Sequence, residues 1–78
     1  MQPPSIPPPK LAQYLGRRIR ILRAERNWSQ EDLAERAGLH RNYIGHVERG
    51  ELNISLMQLA KIARALDVRV GVLVDALP

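Results

Sequence analysis

Cysteine and phenylalanine are both absent from this chain of 78 residues. The lack of cysteine excludes disulfide bonds and thiolate metal sites, and it suits a reducing cytoplasm. No stretch approaches the ~18 consecutive apolar residues of a membrane span, and the amino terminus has no apolar core like that of a signal peptide. We therefore expect a cytoplasmic protein with no membrane partner and, at this length, a single domain.

The sequence also lacks the signatures of a catalytic or metal site. Its two histidines, His40 and His46, are six residues apart with no carboxylate cluster nearby, so we expect no metal ion. The five glycines form neither a phosphate loop nor a nucleotide-binding fingerprint. Ser29 has no base close to it in the sequence, and helix capping accounts for it. We expect no enzymatic activity and no cofactor.

Proline is almost confined to the amino terminus, where residues 1–9 contain five of the six prolines. Because such a run lacks helix donors and core side chains, we expect residues 1–9 to form a disordered or polyproline arm. The arm is interpreted either as an untethered tail or as a contact to DNA or a partner protein. Residues 10–78 would then form the folded domain.

The rest of the chain is rich in Leu, Ala, Arg and Glu, which predicts an all-α fold, a compact bundle of five helices. Apolar spacing predicts helices over about 11–26, 30–37, 40–49 and 56–66. The predicted apolar face of the fourth helix comprises Leu56, Leu59, Ile62, Ala63 and Leu66. The last segment, about 70–77, has alternating valines and fits either a short helix or a short strand.

Two helix starts share one local pattern. Ser29 and Ser55 are cap residues, and Asp32 and Gln58 follow them by three positions, as in a capping box. The second helix stops at Gly38, which suits a left-handed carboxy-terminal position.

Residues 30–49 form a unit of two short helices joined by a tight turn at Gly38 and Leu39. Small and apolar residues are placed to pack the two helices together: Ala34, Ala37, Leu39, Ile44 and Val47. The polar residues between them are His40, Arg41, Asn42, His46 and Arg49. A short helix with one apolar stripe and a polar opposite face suits insertion into the major groove of DNA.

The charge agrees with an anionic partner without identifying one. Lysine and arginine number 12 against 8 acidic residues, a net charge of +4, and ten of the 12 are arginine. Arginine favours forked contacts to phosphate and guanine, but charge alone leaves a soluble basic domain equally open.

The segment SQEDLAERAGLHRNYIGHVERG closely resembles the helix-turn-helix of the Cro/C1-type (Xre-like) repressor family. The matching pairs and triplet are Ser29-Gln30, Leu33-Ala34, Ala37-Gly38, Tyr43-Ile44 and Glu48-Arg49-Gly50. The resemblance extends over about residues 11–77 and includes 53–56, which are also similar to the controller proteins of restriction–modification systems. It implies a transcriptional regulator that binds double-stranded DNA.

The resemblance implies DNA contacts at the matched positions. Gln30 is expected to contact a phosphate beside the amino terminus of its helix. Arg41, Asn42 and His46 occupy the base-reading positions. His40, Arg49 and Tyr43 are expected at phosphates, although packing suits Tyr43 as well as DNA contact.

Two structural features also follow from the resemblance. Arg23 and Glu48 match an ion pair that ties the first helix to the recognition helix. Gly45 departs from the usual pattern, since glycine inside a helix costs roughly 1 kcal/mol relative to alanine. It indicates either close approach of the backbone to DNA or a tolerated variation.

The resemblance further implies a homodimer on a palindromic operator. We expect the interface at an apolar stripe of Val70, Leu73, Val74 and Leu77. The alternative interpretation is that this stripe completes the monomer core. An antitoxin that also binds a toxin is the alternative function. A protein-interaction module without sequence-specific DNA binding is a third.

Overall fold

The computed structural model describes residues 8–75, with side chains from Lys10 onward. Its five helices are α1 Pro8–Glu25, α2 Gln30–Ala37, α3 Arg41–Glu48, α4 Leu56–Leu66 and α5 Val70–Val74. No strand occurs within residues 8–75, which confirms the predicted all-α fold and makes the last segment helical. None of the helices in this range is long and apolar enough to cross a membrane.

The first helix begins at Pro8, three residues before the predicted start. The expectation that the proline run contains no helix is therefore wrong for Pro8 and Pro9. The first turn of a helix accepts proline because its N–H groups have no intrahelical acceptor and the ring fixes φ near the helical value. Residues 1–7 and 76–78 lie outside the described residues, so the rest of the arm and the role of Leu77 stay predictions.

Local capping sets the bounds of α2 and α4. Ser29 Oγ accepts a hydrogen bond from Asp32 N at 3.0 Å, and Asp32 Oδ2 accepts one from Ser29 N at 2.8 Å. This is the predicted capping box. Ser55 Oγ accepts from Gln58 N at 3.1 Å, which caps α4. Gly38, at φ 68°, ends α2 in the left-handed region where glycine is favoured.

The core is built from one face of every helix. Its fully buried large side chains are Ile19, Leu33, Ile44, Ile62, Leu66 and Leu73. α2 packs between α3 and α4, α1 contacts α3 and α5, and α5 also contacts α4. The bundle therefore holds the α2–α3 unit from both sides.

Two predicted roles at the apolar faces are wrong. Leu73 is 0% exposed in the single chain, so it cannot contact a second copy, and it completes the monomer core instead. Leu56 was expected on the buried face of α4 but is 72% exposed. It is the first residue of that helix, and the buried stripe begins one turn later, at Leu59.

α1 crosses the end of α3 at a glycine. A Cβ at Gly16 would overlap the carbonyl oxygen of Val47 and would stand 2.6 Å from that of Glu48. The absence of a side chain therefore sets how closely α1 and α3 approach each other.

Candidate nucleic-acid interface

The α2–α3 unit has one packed side and one open side. Its packed side is formed by Leu33, Ala34, Ala37, Ile44 and Val47, all buried. The turn between the helices ends at His40, whose Nδ1 accepts a hydrogen bond from Asn42 N at 3.0 Å. His40 is thus the cap of α3, and this bond leaves its Nε2 as the ring nitrogen that carries a proton in the neutral form.

The open side forms a groove between the amino end of α2 and the exposed face of α3. The groove is lined by Arg23, Ser29, Gln30, Glu31, Arg41, Asn42, Gly45, His46 and Arg49. The structure thus brings together the three predicted base-reading residues and two predicted phosphate contacts, Gln30 and Arg49. His40 lies in a neighbouring depression that it shares with Arg41.

Arg23 and Glu48 meet beneath this groove. Arg23 Nε lies 2.6 Å from Glu48 Oε2, and Arg23 Nη2 donates to Glu48 Oε1 at 2.9 Å. The two side chains are 15% and 2% exposed. The hydrogen bond to Glu48 is the main cause that raises the pKa of Arg23 above its ordinary value. Arg23 Nη1 also donates to the carbonyl oxygen of Trp28 at 2.7 Å, which fixes the loop before α2.

The same carboxylate also holds Gln30. Gln30 Nε2 donates to Glu48 Oε1 at 3.0 Å, a contact that the sequence did not predict. A side-chain amide has two N–H donors, so this bond leaves the second one for another acceptor. The pair that joins α1 to α3 therefore also orients a predicted phosphate contact.

Gly45 lies on the α3 face that meets Gln30 and Arg49. A Cβ at Gly45 would stand 3.2 Å from Arg49 Nη1 and 3.5 Å from Gln30 Oε1. The backbone there is buried under these two side chains. Glycine thus gives room to two side chains that are themselves predicted to contact phosphate.

A surface cluster lies at the carboxy-terminal end of α3. Glu51 Oε1 lies 2.7 Å from His46 Nδ1 and 3.0 Å from Arg49 Nε. The hydrogen bonds from His46 and Arg49 lower the pKa of Glu51 below its ordinary 4.5. Glu51 follows the helix and has no periodic relation to the polar face of α3, so no sequence pattern pointed to it.

Tyr43 is partly buried against the core. Burial raises the pKa of its hydroxyl above the ordinary 10.0. The hydroxyl therefore stays protonated at neutral pH and can donate a hydrogen bond.

Comparison with known proteins places this architecture in a family. Residues 19–73 match the helix-turn-helix family HTH_3. The chain belongs to this family. The match spans the groove and the core beneath it, and it confirms the expected resemblance to Cro/C1-type proteins.

The similar proteins include restriction–modification controllers, which confirms that resemblance too. The helix-turn-helix chain is 47% identical over 60 residues to control protein C.SmaI of Serratia marcescens, covering 77% of this chain and 71% of that protein. It is 44% identical over 61 residues to control protein C.BamHI of Bacillus amyloliquefaciens, covering 77% and 75%. The crystal structure of the controller C.AhdI from Aeromonas hydrophila superposes with a TM-score of 0.78 at 45% identity, over 80% of this chain and 94% of that one.

Proposed function

We propose that this protein is a sequence-specific regulator of transcription that inserts α3 into the major groove of double-stranded DNA. One observation carries the proposal: Arg41, Asn42 and His46 share the exposed side of a short helix whose other side is locked in the core. Exposed polar side chains on a rigid helix are what base reading in the major groove requires. Membership of the helix-turn-helix family supports the same function.

Each groove residue has a contact that suits its chemistry. Arg41 is exposed and can fork onto O6 and N7 of guanine, while Asn42 can pair with N6 and N7 of adenine. The second amide N–H of Gln30 suits a phosphate oxygen beside the amino terminus of α2. Arg49, Nε2 of His40 and the hydroxyl of Tyr43 are further phosphate donors at the rim.

We further propose a homodimer on a palindromic operator. One eight-residue recognition helix reads only a few base pairs, and two helices related by a dyad read half-sites roughly 34 Å apart. Val70 and Val74 are only partly buried, so they remain candidates for the interface together with Leu77. Similarity to C.SmaI, C.BamHI and C.AhdI supports control of a restriction–modification operon as the setting.

Selection from a randomised duplex library tests the function. We expect the protein to enrich a palindrome, and anisotropy with the enriched duplex should show binding that weakens linearly with the logarithm of salt concentration. A scrambled duplex of equal length is the control. Enrichment of no sequence, with equal affinity for both duplexes, would contradict sequence-specific regulation.

A further inference from the structure

Glu51 engages two side chains that the proposed function places on DNA. Its Oε1 is 2.7 Å from His46 Nδ1 and 3.0 Å from Arg49 Nε. The side chains of His46, Glu51 and Arg49 are 48%, 49% and 55% exposed, so all three are open to a ligand. The contact is therefore part of the surface that would face DNA rather than part of the core.

The short contact between Glu51 and His46 determines where the proton lies. Glu51 is ionised at neutral pH because the hydrogen bonds from His46 and Arg49 lower its pKa, and an ionised carboxylate only accepts. His46 Nδ1 must therefore be protonated and donate to it. Arg49 Nη2 lies 3.4 Å from the same nitrogen, but it is also a donor and cannot bond a protonated Nδ1.

The position of that proton fixes the other ring nitrogen. When His46 is neutral, only one of its ring nitrogens carries a proton, so with Nδ1 donating to Glu51 its Nε2 is an acceptor. The base-edge donors in the major groove are the amino groups N4 of cytosine and N6 of adenine. The free nitrogen of His46 therefore complements these two groups and not O6 or N7 of guanine.

Resting on the proposed function, we propose that Glu51 is a positioning residue for DNA recognition. It holds His46 in the tautomer that accepts a hydrogen bond from the amino group of cytosine or adenine. Glu51 itself contacts no base, and it acts on specificity through the imidazole.

The test measures base preference rather than overall affinity. The duplex that the full chain enriches from a randomised library is varied one base pair at a time, and binding is measured at pH 8, where imidazoles are ordinarily neutral. His46→Ala and Glu51→Ala should flatten the preference at the same position by about 3- to 10-fold, as one neutral hydrogen bond allows. In the His46→Ala background, Glu51→Ala should cause no further change in this base preference.

Two variants separate positioning from simple charge removal. Glu25→Ala removes one exposed negative charge from the end of α1, outside the groove, and should leave the base preference at every position unchanged. Glu51→Gln also removes the charge but keeps an oxygen that accepts from Nδ1, so it should retain the preference. Loss of the preference in Glu51→Gln and Glu51→Ala alike, together with the same loss in Glu25→Ala, would overturn the proposal.

A base analogue identifies the recognised group. Replacing the preferred adenine by purine, or the preferred cytosine by 2-pyrimidinone, removes the amino group and should weaken binding of the wild type but not of His46→Ala. If His46→Ala flattens a position that Glu51→Ala leaves intact, the proposal for Glu51 fails while the proposed function stands. If neither His46→Ala nor Arg41→Ala changes preference at any position, the proposed base reading itself fails.

Discussion

At Gly16 the lack of a side chain lets α1 rest on the carbonyl groups of Val47 and Glu48. We expect Gly16→Ala to lower the free energy of unfolding by about 1–3 kcal/mol or more, because the clash is with backbone that cannot rotate away. Urea denaturation measures the change. Gly71→Ala is the matched control: it has no atom within 4 Å of a new Cβ and lies inside α5, so stability should stay level or rise by up to about 1 kcal/mol. Equal stability of the two variants would contradict the close approach.

The carboxylate of Glu48 joins Arg23, Gln30 and, through them, three helices. We expect Glu48→Ala to lower the free energy of unfolding by on the order of 3 kcal/mol, since it leaves a largely buried guanidinium without its partner. Chemical denaturation of Glu48→Ala is compared with that of Glu25→Ala, which removes an exposed carboxylate at the end of α1. A loss no greater than that of the control would show that the pair is not structural.

At the scale of single residues, the sequence predicted where the site residues lie better than it predicted which residues they contact. Arg41, Asn42 and His46 share the groove because helical spacing alone puts them on one side of α3. The contacts of Glu51 and the fit at Gly16 depend on chain segments whose relative placement no local pattern encodes. Leu73 was misassigned for the same reason, since an apolar stripe does not state which neighbour covers it.

At the scale of elements, the capping box that begins α2 should make the stability of the protein depend on pH in the acidic range. Hydrogen bonds from the backbone and hydroxyl of Ser29 lower the pKa of Asp32 below its ordinary 3.8. A lowered folded-state pKa gives stability that is complete above the unfolded value and is lost as the pH falls through the folded value. We therefore expect the melting temperature to fall below about pH 4 more steeply in the wild type than in Asp32→Asn.

Thermal melts followed by circular dichroism between about pH 2 and pH 6 measure this difference. Some acid dependence should remain in Asp32→Asn, because the pKa of Glu51 is also lowered. Parallel curves for the two proteins would show that the Asp32 carboxylate does not stabilise α2.

The helix bounds followed from the sequence wherever a cap residue marks them. Ser29 and Ser55 start α2 and α4 as predicted, because a cap is a contact within one turn. The start of α1 was predicted three residues too late because a proline run is typical of an unstructured arm, although the first turn of a helix also accepts proline. The alternating valines of the last segment fit a short helix and a short strand equally well. In the structure the segment is helix α5, which packs against α1 and α4.

At the scale of the whole molecule, the proposed homodimer depends on the partly buried valines of α5. We expect Val74→Asp to shift the protein from dimer to monomer in sedimentation velocity, because a charge would face the apolar surface of the second copy. Leu56→Asp is the matched control, since that exposed side chain lies on α4, outside the proposed interface. Circular dichroism verifies that both variants are folded. Dissociation by Leu56→Asp alone would move the interface to the start of α4.

The central claim is that α3 reads DNA sequence, and Arg41→Ala tests it most directly. Affinities of the wild type, Arg41→Ala and Arg64→Ala are measured by fluorescence anisotropy on the enriched duplex and on its single base-pair variants. Arg64 is an exposed arginine of α4 that does not line the groove, so its loss removes the same charge elsewhere. We predict that Arg41→Ala loses about 1–3 kcal/mol of discrimination at one base pair, and that Arg64→Ala preserves the wild-type ranking of all duplexes. An unchanged ranking in Arg41→Ala would contradict the account.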